Sequence, residues 1–292
     1  MATQNKMLNS KFKNYIHKYQ RDGFVILKNF IKKNDCKNAL KWLKKQDHRK
    51  LIKSWTEKEP GVDAAVYFVV HKKKNLISNL VNNKKIMKFA SYLANEEVYI
   101  YSSKVNFKAA WCGAVEYFHQ DLVYWKHRGY PRNDMFSIMI FLESHNDQNA
   151  PLNIIPKTHK LGFIDHEPFI NINGLSKSMV HPKILTKLEK KYGVQRINAE
   201  PGDVLFFHMG CVHGSGHNIS PKSRTIVLSQ INTFSNKPKN VEINSRKFNL
   251  IRANREVLEA KRKLKWFQNK YKKQLNSKKL TFHAPISPEE TK

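Results

Sequence analysis

Between residues 98 and 234 the chain passes through six short β-rich runs, "VYIYSSKVNF", "AVEYFHQDLVYW", "MFSIMIFLE", "PLNIIP", "GDVLFFHM" and "RTIVLSQINTF", separated by clusters of Gly, Pro, Asn and Asp. Branched and aromatic side chains suit a pleated surface, and the punctuating residues supply turns. Many short strands at this spacing point to a sandwich or a jelly roll. The flanks read differently. Phe12, Tyr15, Ile16 and Tyr19 recur at helical spacing over 9–21, and "DG" at 22–23 stops that segment before the β-type run "FVILKNF". A second helix is expected in "NDCKNALKWLKKQ", capped by Asn34 or Asp35 and burying Cys36, Leu40 and Leu43. "AAVYFVV" at 64–70 reads as a strand, "NKKIMKFASYLAN" at 83–95 as a helix, and "HPKILTKLEKKYG" at 181–193 as a helix stopped by Gly193.

With 292 residues the chain suffices for one large domain or two small ones, and we expect a boundary near 240. Residues 1–240 would form the β domain with its N-terminal helices. Residues 241–292 would add a basic helix over 247–274 and a poorly ordered tail. The three cysteines, Cys36, Cys112 and Cys211, show no CxxC pairing and read as buried small hydrophobes. No uninterrupted apolar run is long enough to span a bilayer, and the first twenty residues lack the features of a secretory signal, so a cytoplasmic protein with no transmembrane segment is expected.

The chain carries 53 Lys and Arg against 23 Asp and Glu, a formal charge of +30, which invites a nucleic-acid or membrane-surface reading. The excess lies on the flanks, however: residues 101–235 hold 15 basic against 10 acidic residues. Abundant Asn and Ile beside Lys is also what an AT-rich genome yields without any basic partner. A nucleic-acid partner is therefore not expected, and a scaffold binding through its basic flanks stays as the alternative class.

The residues with chemistry sit in the β region. Side chains i and i+2 of a strand share a face, so His119 and Asp121 project together while Gln120 turns away. One imidazole and one carboxylate need a second histidine from elsewhere to complete a facial triad for non-haem iron(II). In "PGDVLFFHMGCVHGSGHNISPKSRTIVLSQ", His213 follows one strand and Arg224 opens the next, eleven residues later. A histidine at a strand end beside an arginine suits a metal ligand next to a dicarboxylate anchor, because the guanidinium fork binds carboxylate bidentately and stays charged. His217 lies four residues past His213 but lacks the arginine spacing, and His127, His145, His159, His166, His181 and His208 read as surface or supporting residues. Tyr117, Tyr124 and Trp125 are either core aromatics or pocket lining, and Lys108 and Lys126 either meet an anionic substrate or face solvent.

These motifs resemble the phytanoyl-CoA dioxygenase family of iron(II)- and 2-oxoglutarate-dependent oxygenases, in particular its ectoine-hydroxylase-like members. The likeness runs over roughly 15–235 and rests on "FHQDLVYW", "APLNIIPKTHKLG", "PGDVLFFH" and "HGSGHNISPKSR", with "YQRDGFVILKNF" similar to the family's opening helix and strand. It implies a cupin-like double-stranded β-helix, mainly β with flanking helices. It further implies His119, Asp121 and His213 as iron ligands, Arg224, Asn106 and Ser215 as 2-oxoglutarate contacts, and Trp125 beside a small-molecule substrate. The aromatics and lysines near the motif, Tyr117 and Lys108 among them, admit a compact substrate of anionic or zwitterionic character. Iron(II), 2-oxoglutarate and O2 would hydroxylate a carbon of that substrate with release of succinate and CO2. A carboxylate at Asp121 favours hydroxylation, since halogenating members carry Gly or Ala there. Two departures stand out: Lys157 and Thr158 replace the Gly and Ser of the family's Pro-Gly-Ser-His turn, and Gln120 stands where ectoine hydroxylases have Ser. A jelly roll that has lost catalysis, or a cupin-type metal-binding module, is a third reading, which an intact Arg224 disfavours.

Overall fold

A computed structural model describes residues 10–45, 56–59, 62–68, 70–111, 115–125, 130–170 and 176–236. The expected C-terminal helix and the boundary near 240 lie outside these residues, as do Cys112, Lys126 and His127.

Two antiparallel sheets face each other, with helices on the outer side of the larger one. The strands are β1 (Phe24–Leu27), β2 (Thr56–Glu59), β3 (Val62–Phe68), β4 (Val98–Lys108), β5 (Glu116–His119), β6 (Phe136–Phe141), β7 (Leu152–Ile155), β8 (His166–Ile170), β9 (Ser176–Val180), β10 (Gln195–Ile197), β11 (Val204–His208), β12 (Val212–Ser215) and β13 (Arg224–Thr233). The large sheet has seven strands in the order β1-β11-β6-β13-β4-β3-β2, the small sheet four in the order β10-β7-β12-β5, and β8 and β9 form a separate hairpin. Neighbours in both main sheets are far apart in sequence, as expected of a double-stranded β-helix.

The central strands explain how two cores form. Every residue of β6 is buried. Phe136, Ile138 and Ile140 pack on the helix side with Val204 and Phe206 of β11 and Val227 of β13. Met139 and Phe141 turn to the other face with Leu205, Phe207, Ile226 and Leu228 and meet Leu152 and Ile154 of the small sheet. The period-two alternation thus serves both faces, which is why these runs read as nearly continuous hydrophobes. On the helix side, Phe89 of the helix Lys84–Ala94 lies edge-on against Phe206 at 4.9 Å, and Phe12 of helix α1 (Ser10–Asp22) packs on Phe89 at 5.3 Å.

Three local expectations are corrected. Helix α2 (Lys33–Lys44) begins after Lys32 with no side-chain cap, and Asp35 lies inside its first turn, where its charge favours the helix dipole. The strand over 64–70 ends at Phe68, and a further short helix, Leu76–Val81, follows with Asn75 and Ser78 in a reciprocal capping box. The run "AVEYFHQDLVYW" is a strand only through His119, after which Asp121–Tyr124 coils into a single 3-10 turn.

The loop containing Lys157 keeps a left-handed turn without glycine: Lys157 has φ 66, and its amide donates to the Asp22 carbonyl at 2.8 Å. Thr158 then donates its hydroxyl to the Ile155 carbonyl at 2.7 Å and accepts the Val212 amide at 2.9 Å. This ties the loop to the first residue of β12, one position before His213.

Candidate metal centre

Strand β12 lies between β7 and β5, and its register places His213 directly opposite His119. The two rings sit 4.5 Å apart between centroids. Gln120 is still extended, at φ -102 and ψ 133, so Asp121 returns to the face of His119 although the strand has ended. Nε2 of His119 and Nε2 of His213 stand 3.8 and 3.9 Å from the same oxygen, Oδ1 of Asp121. One ligand atom from each of the three residues falls within a 4.8 Å cluster, the only such metal-competent group among the described residues.

The hydrogen bonds around the triad decide its chemistry. Nδ1 of His119 lies 2.7 Å from the Tyr117 carbonyl, and Nδ1 of His213 lies 2.9 Å from the Cys211 carbonyl. A carbonyl can only accept, so each Nδ1 carries the hydrogen and each Nε2 presents a lone pair inward. Burial, reinforced by the neighbouring His213, pushes the His119 imidazole down and keeps it neutral. Oδ2 of Asp121 accepts the Ser137 hydroxyl at 2.9 Å, leaving Oδ1 facing the imidazoles. Two lone pairs and a carboxylate oxygen converge, an arrangement that a divalent cation relieves. Two imidazoles and one carboxylate in a facial set are the donors of non-haem iron(II) sites, so the residues fit the metal.

Gln120, turned away from the triad, is fully buried and acts as a clamp. Its Nε2 donates to the carbonyls of Gly162 and Gly210 at 2.9 and 2.7 Å, and its Oε1 accepts the Ile164 amide at 2.8 Å. The backbone between the two ligands is thereby fixed to two loops.

Arg224, the first residue of β13, is paired in register with Lys108, the last of β4, and both are 7% exposed. Burial lowers the guanidinium to about 10, so it remains charged at neutral pH. Among the described residues no carboxylate lies within ion-pair distance of it. Its contacts are Ser215 Oγ at 3.4 Å and Nδ1 of His145 at 3.5 Å. Lys108, for which solvent exposure was an open expectation, is buried instead, because its Nζ donates to Ser215 Oγ at 2.9 Å and to the Gly216 carbonyl at 2.8 Å. Asn106 stands two residues earlier on β4, on the same face, with a buried Oδ1 that has no hydrogen-bond partner among the described residues.

The aromatics separate by burial. Trp125, read in the sequence either as a core aromatic or as pocket lining, is packed with Leu122, Met135 and Met209 and lies edge-on to Tyr101 at 4.7 Å. Tyr117 is half exposed and contributes its carbonyl to His119. Tyr124 instead presents its ring to His119, at 6.1 Å. Of the histidines set aside in the sequence, His145 is buried at Arg224 and is held neutral by burial and by the charges of Arg224 and Lys108. Ser137 went unnoticed, although a lone hydroxyl inside "FSIMIF" was the signal: a buried hydroxyl in an apolar strand needs a partner.

Fold and site together define a mononuclear non-haem iron enzyme of the facial-triad class. The sequence pattern described as "Phytanoyl-CoA dioxygenase (PhyH)" matches residues 19–226. The chain belongs to the phytanoyl-CoA dioxygenase family and is a 2-oxoglutarate-dependent dioxygenase that uses iron(II). It is 27% identical over 231 residues to an ectoine dioxygenase of Bordetella bronchiseptica, covering 76% of this chain and 75% of that one. An L-proline trans-4-hydroxylase of Streptomyces griseoviridis is 29% identical over 179 residues, 58% of this chain and 67% of that one. The crystal structure of EctD from S. alaskensis with 2-oxoglutarate and 5-hydroxyectoine is similar in fold, at 24% identity, a TM-score of 0.66 and 82% coverage of both chains. No helix among the described residues is long and apolar enough to cross a membrane.

Proposed function

We propose that the enzyme hydroxylates an unactivated carbon of a compact anionic or zwitterionic metabolite, converting O2 and 2-oxoglutarate to the new hydroxyl group, succinate and CO2. The observation that carries this reading is the convergence of His119 Nε2, His213 Nε2 and Asp121 Oδ1 in the same interior as a buried guanidinium without a carboxylate partner among the described residues. His119, Asp121 and His213 hold the iron, which when bound supplies the redox chemistry coupling decarboxylation of the 2-oxo acid to C–H oxidation. Three protein ligands would leave the metal accessible to the cosubstrate and O2.

Arg224 grips the distal carboxylate, Ser215 stands beside it, and Asn106 offers its amide from the same strand face as Lys108. The inward imidazoles are held in one tautomer by Tyr117 and Cys211, so they accept metal without rearranging. Burial of the whole set excludes water and strengthens each charge interaction. The relatives named for ectoine and L-proline favour a small zwitterion as substrate. Gln120 is absorbed by the loop clamp, so it gives no support to ectoine itself, and Tyr124, whose ring faces His119, would be an aromatic that meets the substrate.

Anaerobic titration with iron(II) and 2-oxoglutarate tests the cosubstrate assignment through the charge-transfer band of the chelate. The wild type should show the band, and Arg224→Ala should weaken it by ~100-fold or more in 2-oxoglutarate concentration. An absent band, or an undiminished one in the variant, overturns the assignment. A panel of amino acids, osmolytes and acyl thioesters, scored by succinate release coupled to product and abolished in His119→Ala, tests the substrate class. Coupled turnover only with large apolar thioesters refutes it.

A further inference from the structure

Two buried cations, Lys108 and Arg224, meet at Ser215, and the proposed reaction gives a role to Arg224 alone; a role for the second cation rests on that same 2-oxoglutarate assignment. Ser215 Oγ receives Nζ of Lys108 at 2.9 Å and Nη2 of Arg224 at 3.4 Å. A serine hydroxyl has two acceptor lone pairs and one hydrogen. Lysine and arginine can only donate, so both lone pairs are engaged and the hydroxyl hydrogen is left to point elsewhere. The hydroxyl is thus set as a donor, and a donor beside two cations addresses an anion.

The fold makes this polarity obligatory. Lys108 and Arg224 face each other across the β4–β13 ladder, and like charges placed directly opposite on a sheet repel. The second Nζ contact, to the Gly216 carbonyl, keeps the lysine turned toward Ser215. Asn218 locks the same corner by donating to the carbonyls of Ala109 and Lys222 at 2.7 and 2.8 Å, joining the end of β4 to the loop between His213 and Arg224. On the far side of Arg224, His145 is neutral and offers Nδ1 to the guanidinium, so it adds no charge.

We propose that Lys108 is a second anchor for the distal carboxylate of 2-oxoglutarate, acting with Arg224 and through a Ser215 hydroxyl that the two cations turn into an obligate donor. The pocket would then read the distal group as a charged carboxylate through three donors rather than one fork, and its discrimination against monocarboxylate 2-oxo acids would depend on Lys108.

The test compares 2-oxoglutarate with 2-oxopentanoate, which has the same chain length without the distal charge, in anaerobic iron(II) titrations of the wild type, Lys108→Met, Lys108→Gln and Ser215→Ala. Loss of hydrogen bonds to a charged group predicts that Lys108→Met weakens 2-oxoglutarate by ~10- to 100-fold. Binding of 2-oxopentanoate should stay within about twofold, and Ser215→Ala should narrow the preference in the same sense. A purely structural role for Lys108 would weaken both acids alike, and that result, or an unchanged preference, overturns the proposal. Should the lysine variants fail to fold, a wild-type crystal with iron(II) and 2-oxoglutarate decides: the distal carboxylate must accept from Ser215 Oγ and lie within about 4 Å of Lys108 Nζ. If the wild type binds no 2-oxoglutarate at all, the cosubstrate assignment fails before any variant is needed, so the two failures are distinct.

Discussion

Replacing Gln120 with Glu changes one atom group in the clamp between the two proximal ligands, and its cost follows from three hydrogen bonds. The amide nitrogen serves two carbonyls, Gly162 and Gly210, while the oxygen serves the Ile164 amide. An ionised carboxylate would set negative charge against both carbonyls in a fully buried position, so the variant must fold with the acid protonated. Holding a group of ordinary pKa ~4.3 neutral at pH 7 costs about 4 kcal/mol. The protonated acid has a single hydrogen, so one carbonyl loses its donor, adding ~1–2 kcal/mol. The variant should be less stable than the wild type by ~5 kcal/mol at pH 7, and by only about 2–3 kcal/mol at pH 5, where protonation costs ~1 kcal/mol. Urea unfolding of both proteins at the two pH values, followed by circular dichroism, measures the difference. A gap below about 1 kcal/mol, or one that does not shrink as pH falls, would refute the clamp.

Ser137→Ala should leave the fold intact and weaken iron(II) binding by ~10-fold, because Oδ2 of Asp121 loses the hydrogen bond that orients it; equal metal affinity in a competition titration would remove Ser137 from the site. Acid should destabilise the protein through its buried histidines. His208, lowered by burial and by His159 to about 4, binds its proton in the unfolded chain near 6.5, so stability is full above that value and declines as pH falls toward 4. His208→Gln should flatten the decline by up to ~1.4 kcal/mol per pH unit, and parallel unfolding curves for variant and wild type would contradict the burial of that ring.

The jelly roll and the cluster of His119, Asp121 and His213 were legible because their signals are local. Short runs of Val, Ile and Phe between turn residues define strands by themselves, and His119 and Asp121 share a face as i and i+2 even though the strand gives way to a 3-10 turn at Asp121. The spacing from His213 to Arg224 is likewise confined to the single connection between β12 and β13. Long-range compensation was not legible. Lys108 reads as one more surface lysine in a lysine-rich chain until the fold brings it to Ser215, 107 residues away. Trp125 follows the ligand motif closely, yet the turn after Asp121 folds its ring into the cluster with Leu122 and Met209. Lys157 shows the reverse case, in which a residue outside the family's usual Gly still adopts the required left-handed backbone, held by the Asp22 carbonyl.

The contact of Ser215 with Lys108 and Arg224 spans the two sheets: the serine sits on the small one, beside the ligand His213, and both cations sit on the large one. A keto diacid held as proposed, from the triad to those cations, would lie across the seam, and the gap between the sheets would act as a caliper for its length. That gap is set by the packing between them, where Phe207 touches the His213 ring at 5.0 Å and Ile226 backs onto Leu152 and Ile154. On that proposal, the chain length of diacid the enzyme accepts would depend on its hydrophobic filling as much as on its charged residues, and repacking that layer would be a route to retuning it.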